Sequence, residues 1–155
     1  MKRLSLLLFL LPLSFTAQLR LNTINELYVI KSDNIENYVI NGLGFKKLTA
    51  VKNEGSNDYE FYNGKNNFEE AIYLQILIPF IDKFKNVVTI RTANESYVQE
   101  LKSDIVSNGF QYYGEKELYD KYKVHLYIKN SITFMISSEK GKNGIFEINM
   151  IPLNK

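Results

Sequence analysis

The chain has one histidine, His125, inside the segment YKVHLYIKN at residues 122–130. Imidazole is the side chain best placed to move protons near neutral pH. Nucleophile–histidine–acid catalysis also needs that ring oriented by a second polar group. Tyr127, two residues on, and Glu147, in a later strand, are the available partners, so an enzyme using His125 with either is one reading. A zinc ion takes several His or Cys ligands, which one histidine and no cysteine cannot supply. Glu69 and Glu70 offer the two carboxylates that glycoside cleavage needs, but neighbours in a loop point apart. The run NEGSNDYE at 53–60 holds oxygen ligands, though not in the alternating order about a glycine that calcium loops use. Gly42 and Gly44 follow a helical stretch and read as its stop, not as a phosphate loop. The sequence therefore assigns no catalytic residue, no metal and no cofactor.

The same histidine has a plainer reading as one residue of a half-buried strand. Side chains alternate between the two faces of a strand. Val124, Leu126 and Ile128 form the apolar set, which leaves His125, Tyr127 and Lys129 facing the other way. In the next strand Ile132, Phe134 and Ile136 are apolar, with Thr133 and Met135 outward. Keeping Leu126 opposite Phe134 asks for a three-residue loop at Lys129–Ser131, since a two-residue loop would bring Tyr127 opposite Phe134. Alternation elsewhere puts Glu60, Tyr62, Tyr73, Gln75, Thr89, Arg91, Glu147 and Asn149 outward. Tyr73, Arg91, His125 and Tyr127 are thus expected on one face, away from the helices, as the binding residues. Tyr, Met and Arg are enriched in interface cores. Tyr and Thr are also what β-propensity alone places on an exposed sheet face.

The elements that would carry these residues occur in two similar groups. DNIENYVINGLGFKKL and YVQELKSDIVSNGFQYY each read as a short amphipathic helix that stops at glycine and enters a strand through Gly-Phe. Gly44-Phe45 and Gly109-Phe110 are 65 residues apart, as are Phe61-Tyr62 and Leu126-Tyr127. Asp33 with Glu36, and Thr23 with Glu26 in an earlier segment, have capping-box spacing. That earlier segment reads as a short first helix, with a strand at Leu27–Lys31 as the competitor. Four strands are expected after each helix, at 45–52, 58–63, 71–78 and 86–92, then at 110–113, 122–129, 132–137 and 145–151. The fold class is α+β, one curved antiparallel sheet with helices on one face. The halves run over about 18–92 and 93–155.

This tandem helix-plus-four-strand layout resembles the secreted β-lactamase inhibitor protein family, and also uncharacterised secreted bacterial proteins with the same helix–Gly-Phe–strand phrase. The resemblance spans the whole mature chain at the level of layout. It implies a protein-binding module on a saddle-shaped sheet. It transfers no functional residue, and the disulfides of the inhibitor family have no counterpart in a chain without cysteine.

The N-terminus sets the compartment. Lys2 and Arg3 precede an apolar run from Leu4 to Phe15, and Ala17 supplies a small residue for cleavage. Residues 1–17 are expected to be an export signal, too short to span a bilayer, which places the remaining single domain, 18–155, in the periplasm or outside the cell. The chain carries 19 Lys plus Arg against 17 Asp plus Glu, and cleavage removes Lys2 and Arg3, leaving 17 against 17. A neutral domain lacks the basic footprint of nucleic-acid binding, and membrane insertion after cleavage is not expected. Without disulfides the core alone must hold the fold. The expected activity is non-catalytic binding of another protein through the open face. Self-association is a further possibility, because AIYLQILIPF at 71–80 would invite strand addition if it lay at an edge.

Overall fold

The computed structural model describes residues 19–119 and 122–153. The expected export signal lies outside the described residues. All eight strands form one antiparallel sheet in the order β1-β2-β3-β4-β8-β7-β6-β5. Their ranges are β1 Lys46–Lys52, β2 Ser56–Tyr62, β3 Ile72–Pro79, β4 Val87–Thr92, β5 Gln111–Glu117, β6 Lys123–Lys129, β7 Ile132–Ser137 and β8 Phe146–Pro152. The helices are α1 Leu21–Leu27, α2 Ser32–Glu36 and α3 Glu95–Ser107, with α2 continuing as a π-helical turn over Asn37–Gly42. The architecture is α+β, as expected, with the sheet dominant. Each half supplies four consecutive strands, and the halves meet where β4 pairs with β8.

The helices cover one face. Leu21, Ile24 and Leu27 of α1, Ile35 of α2, and Val98, Leu101 and Ile105 of α3 share one core with Leu74, Ile76, Val88, Ile90, Phe134, Ile136, Ile148 and Met150 of the sheet. Cross-strand register confirms the common face: Leu74 pairs with Ile90, Ile90 with Ile148, and Ile148 with Ile136. The strands buried on this side alternate cleanly, β3 most of all, where Ile72, Leu74, Ile76 and Ile78 are buried.

Helix boundaries follow different cues from those the sequence suggested. Thr23 lies inside α1, whose N-cap is Arg20, and the N-cap of α2 is Lys31, neither with a side-chain cap. The two glutamates of the supposed capping boxes are engaged elsewhere. Glu26 accepts from the Tyr38 hydroxyl, and Glu36 accepts from Lys47 Nζ at 2.6 Å. The competing strand at 27–31 does not form. Among the described helices α3 alone has a side-chain cap, Asn94 Oδ1 accepting from the Tyr97 amide at 2.9 Å. At the other end of that helix Gly109 has φ +84, as a left-handed stop requires.

The β6–β7 hairpin corrects the face assignment. Lys129 pairs with Ile132, so the turn is the two residues Asn130 and Ser131, with Asn130 at φ +54. Tyr127 therefore stands opposite Phe134, and His125 opposite Ile136, on the helix-covered side. Tyr127 is a core residue at 7 % exposure. Val124, Leu126 and Ile128 face the other way. The shared spacing of 65 residues breaks down at the same place. Phe61 pairs with Lys47 on the helix side, and its counterpart there is Tyr127, paired with Tyr112, rather than Leu126.

The edge strands are β1 and β5. Each is interrupted by a bulge, between Lys47 and Thr49 and between Tyr112 and Glu115, and each carries several charges. Bulges and charges blunt an edge against strand addition. The apolar β3 is paired on both sides, with β2 and β4, so it offers no edge.

Candidate functional site

On the face without helices, register brings Lys46, Tyr62, Tyr73, Arg91 and Glu147 into one row across five strands. The next row holds Thr49, Glu60, Gln75, Thr89, Asn149 and Met135. Both rows follow from alternation about buried neighbours, which fixes the outward set without further help.

These side chains form a connected polar network. Arg91 donates from Nε to Glu147 Oε2 at 2.9 Å and from Nη1 to Gln75 Oε1 at 3.1 Å. Gln75 in turn donates to Asp58 Oδ2 at 2.8 Å. On the other side Asn149 donates to Glu147 Oε1 at 3.0 Å, while its own oxygen accepts from the Thr89 hydroxyl at 2.7 Å. The guanidinium is therefore oriented from two sides, and its remaining N–H groups are unspent. Tyr62 and Tyr73 stack beside it, ring centroids 6.3 Å apart, with Lys46 Nζ 5.8 Å from the Tyr62 centroid.

Two clefts open at this point, and Arg91 lines both. One, of about 290 Å³, is walled by the side chains of Leu48, Phe68, Tyr73 and Ile145, with Glu60, Gln75 and Arg91 at its polar side, and the strands at Phe61 and Leu74, whose side chains point to the helices, form its floor. The other, of about 840 Å³, lies beneath the β7–β8 loop between Tyr122, Arg91, Glu147 and Lys140. The β2–β3 and β7–β8 loops meet between them: Lys140 Nζ lies 3.5 Å from Glu69, and Phe68 packs beside Gly144. The Tyr122 hydroxyl is shielded and finds no hydrogen-bond partner among the described residues; the Ser137 hydroxyl near it bonds the Glu147 backbone. Burial pushes its pKa up.

Of the four residues expected to share the open face, two do. Tyr73 and Arg91 are adjacent there; His125 and Tyr127 are on the helix side of the other half. His125 Nδ1 is 2.9 Å from the Tyr112 hydroxyl, and partial burial followed by the charge of Lys102 pulls its pKa below 6.5. Glu147 is on the opposite face of the sheet, so it cannot orient His125. Glu69 and Glu70 also part ways, the first toward Lys140 and the second toward Asn67. Among the described residues, no three His, Asp or Glu side chains gather as a metal set, and no helix is long and apolar enough to cross a membrane.

Leu48, Phe68 and Tyr122 complete the site and were not visible as candidates. Leu48 reaches the open face only because the bulge in β1 adds a residue there. Phe68 did carry a signal, as a lone large apolar residue in the polar loop NGKNNFEE. No protein-family model matches the chain, and no curated protein or solved structure is significantly similar to it.

Proposed function

We propose that the protein is an exported, non-catalytic, inhibitor-like module that binds another protein through the open face around Tyr73 and Arg91. The observation that carries this reading is the exposure of Leu48, Phe68 and Tyr73, each about half accessible, around one cleft beside an arginine fixed in place. Large apolar side chains held open next to an oriented guanidinium are the composition of an interface hot spot, where Tyr and Arg dominate the energetics. The layout resemblance to the β-lactamase inhibitor proteins supports the same class. The export signal read from residues 1–17 supports an encounter outside the cytoplasm.

The test is affinity capture from the native exported fraction with the mature chain as bait, run beside Tyr73→Ala and Phe68→Ala. A partner held by wild type should be lost from each variant, at a cost of about 2 kcal/mol or more per hot-spot side chain. Equal recovery by wild type and both variants contradicts the reading.

A further inference from the structure

We propose that the end of the molecule far from the Tyr73 cleft docks on a phospholipid surface through the β3–β4 loop. The β2–β3 and β7–β8 loops that frame the cleft leave the sheet at one end, and the β1–β2 and β3–β4 loops leave it at the other. The segment PFIDKFKN at 79–86 closes β3 and then presents Phe80, Ile81 and Phe84, each about half accessible. Val29, as exposed as these, lines one cleft with Phe80 and Phe84, so the apolar side chains belong to a single patch. Backbone and side-chain bonds hold the loop in this exposing shape. The Phe80 amide donates to the Gly55 carbonyl, and the Phe84 amide to that of Ile81, both at 3.0 Å. Asn86, itself buried, donates from Nδ2 to the Leu27 and Ile30 carbonyls at 2.7 and 2.9 Å, and from its amide to Tyr28 at 3.1 Å. A fixed turn that shows several large apolar groups to water marks a contact surface.

The chemistry of the patch selects lipid over protein. Its cations are Lys31, Lys52, Lys83 and Lys85, and the carboxylates on the same loops are Asp33, Glu54 and Asp82. Among the described residues none of these groups is in an ion pair. Lys52 Nζ lies 5.6 Å from the Phe80 ring centroid, and Lys83 Nζ lies 5.1 Å from that of Phe84. Protein interfaces favour Tyr and Arg and are depleted in Lys. The Tyr73 face fits that description, whereas the exposed aromatics here are phenylalanines and the cations are lysines. A phenyl ring carries no polar atom into hydrocarbon, and a lysine stem lying on the ring lets its ammonium reach back to the lipid phosphates. Four lysines against three carboxylates leave one positive charge in surplus, which suits phosphate-bearing headgroups. The contact is peripheral and spans nothing, and it leaves the Tyr73 cleft open at the far end.

The chain has no tryptophan, so Phe84→Trp in the mature chain gives a single reporter, with Val106→Trp on α3 as the control. Leaving out residues 1–17 keeps their apolar run from binding lipid by itself. With vesicles of equal parts phosphatidylethanolamine and phosphatidylglycerol, emission of the Phe84→Trp variant should shift to the blue and that of the control should not. In flotation with the same vesicles, Ile81→Ser should weaken binding by about tenfold and Lys83→Gln by about fivefold. Both should keep the wild-type urea midpoint, because the sites are exposed. Absence of flotation by wild type, flotation unchanged in Ile81→Ser, or an equal shift in the control overturns the proposal. A blue shift that grows with protein concentration without vesicles assigns the patch to a second copy and overturns it too. So does an Ile81-dependent complex with a soluble protein in place of flotation.

Discussion

His125 drew attention as the lone imidazole, and its surroundings now give it a modest, measurable role. It stands on the helix side near the β5 edge, with the Tyr112 hydroxyl at 2.9 Å and the ring of Tyr112 tilted against it, centroids 5.7 Å apart. Burial and Lys102 hold its pKa below 6.5, with Glu115 opposing in part. A base with a lower pKa when folded binds its proton more readily when unfolded. Stability should therefore be unaffected well above pH 6.5 and should fall as the pH drops through 6.5, levelling once the folded-state pKa is passed. Urea unfolding of wild type and His125→Gln across this range checks it: the wild-type decline should exceed that of the variant. Arg91 stands in the opposite situation. Its pairing with Glu147 is about a third exposed on both sides, so it contributes little to stability and serves to orient the guanidinium.

The β6–β7 hairpin decides which side chains are available, and it is where the sequence misled. Period-two alternation identifies two sets in a strand but not which set meets the helices. In β6 the smooth aliphatic set Val124, Leu126 and Ile128 looked like the core set, and two of its members are indeed buried, at 1 % and 8 % exposure, but on the open side. Tyr127 with Phe134 faces the helices instead. The deciding feature was one residue of loop length, which propensity does not fix. Strand existence was legible throughout, because each run of β-branched and aromatic residues is bounded by polar turns. The capping boxes were not, since Glu26 and Glu36 find tertiary partners that no local spacing reveals. Two substitutions test the hairpin. Asn130→Val forces a β-branched residue to φ +54 and should cost about 1–2 kcal/mol in urea unfolding, while Asn130→Gly should be close to neutral. Tyr127→Ala should cost about 3–5 kcal/mol as a core truncation, against within about 0.5 kcal/mol for the exposed Tyr73→Ala. Equal small losses for the two tyrosines would contradict the register.

At the scale of the molecule, one sheet divides the work between its faces. The helix side carries the core, and the open side carries a hydrogen-bonded network from Asp58 to Thr89 with clefts at its centre. Of the four residues expected on the open face, the placement of Tyr73 and Arg91 was legible, because β3 and β4 alternate without ambiguity; that of His125 and Tyr127 in β6 was lost with its register. Loops at one end of the sheet, β2–β3 and β7–β8, frame the site from both halves of the chain. The bulged, charged edges at β1 and β5 disfavour association by strand addition there. Site-specific photocrosslinking tests the binding function of the open face most directly. A benzophenone side chain at position 73, on the open face, is compared with one at position 106, which is also exposed, at 52 %, but on α3, on the helix side. In the native exported fraction, position 73 should give a discrete adduct with one other protein, and position 106 should not. Adducts of equal yield from both positions, or from position 106 alone, would contradict a binding function for the open face.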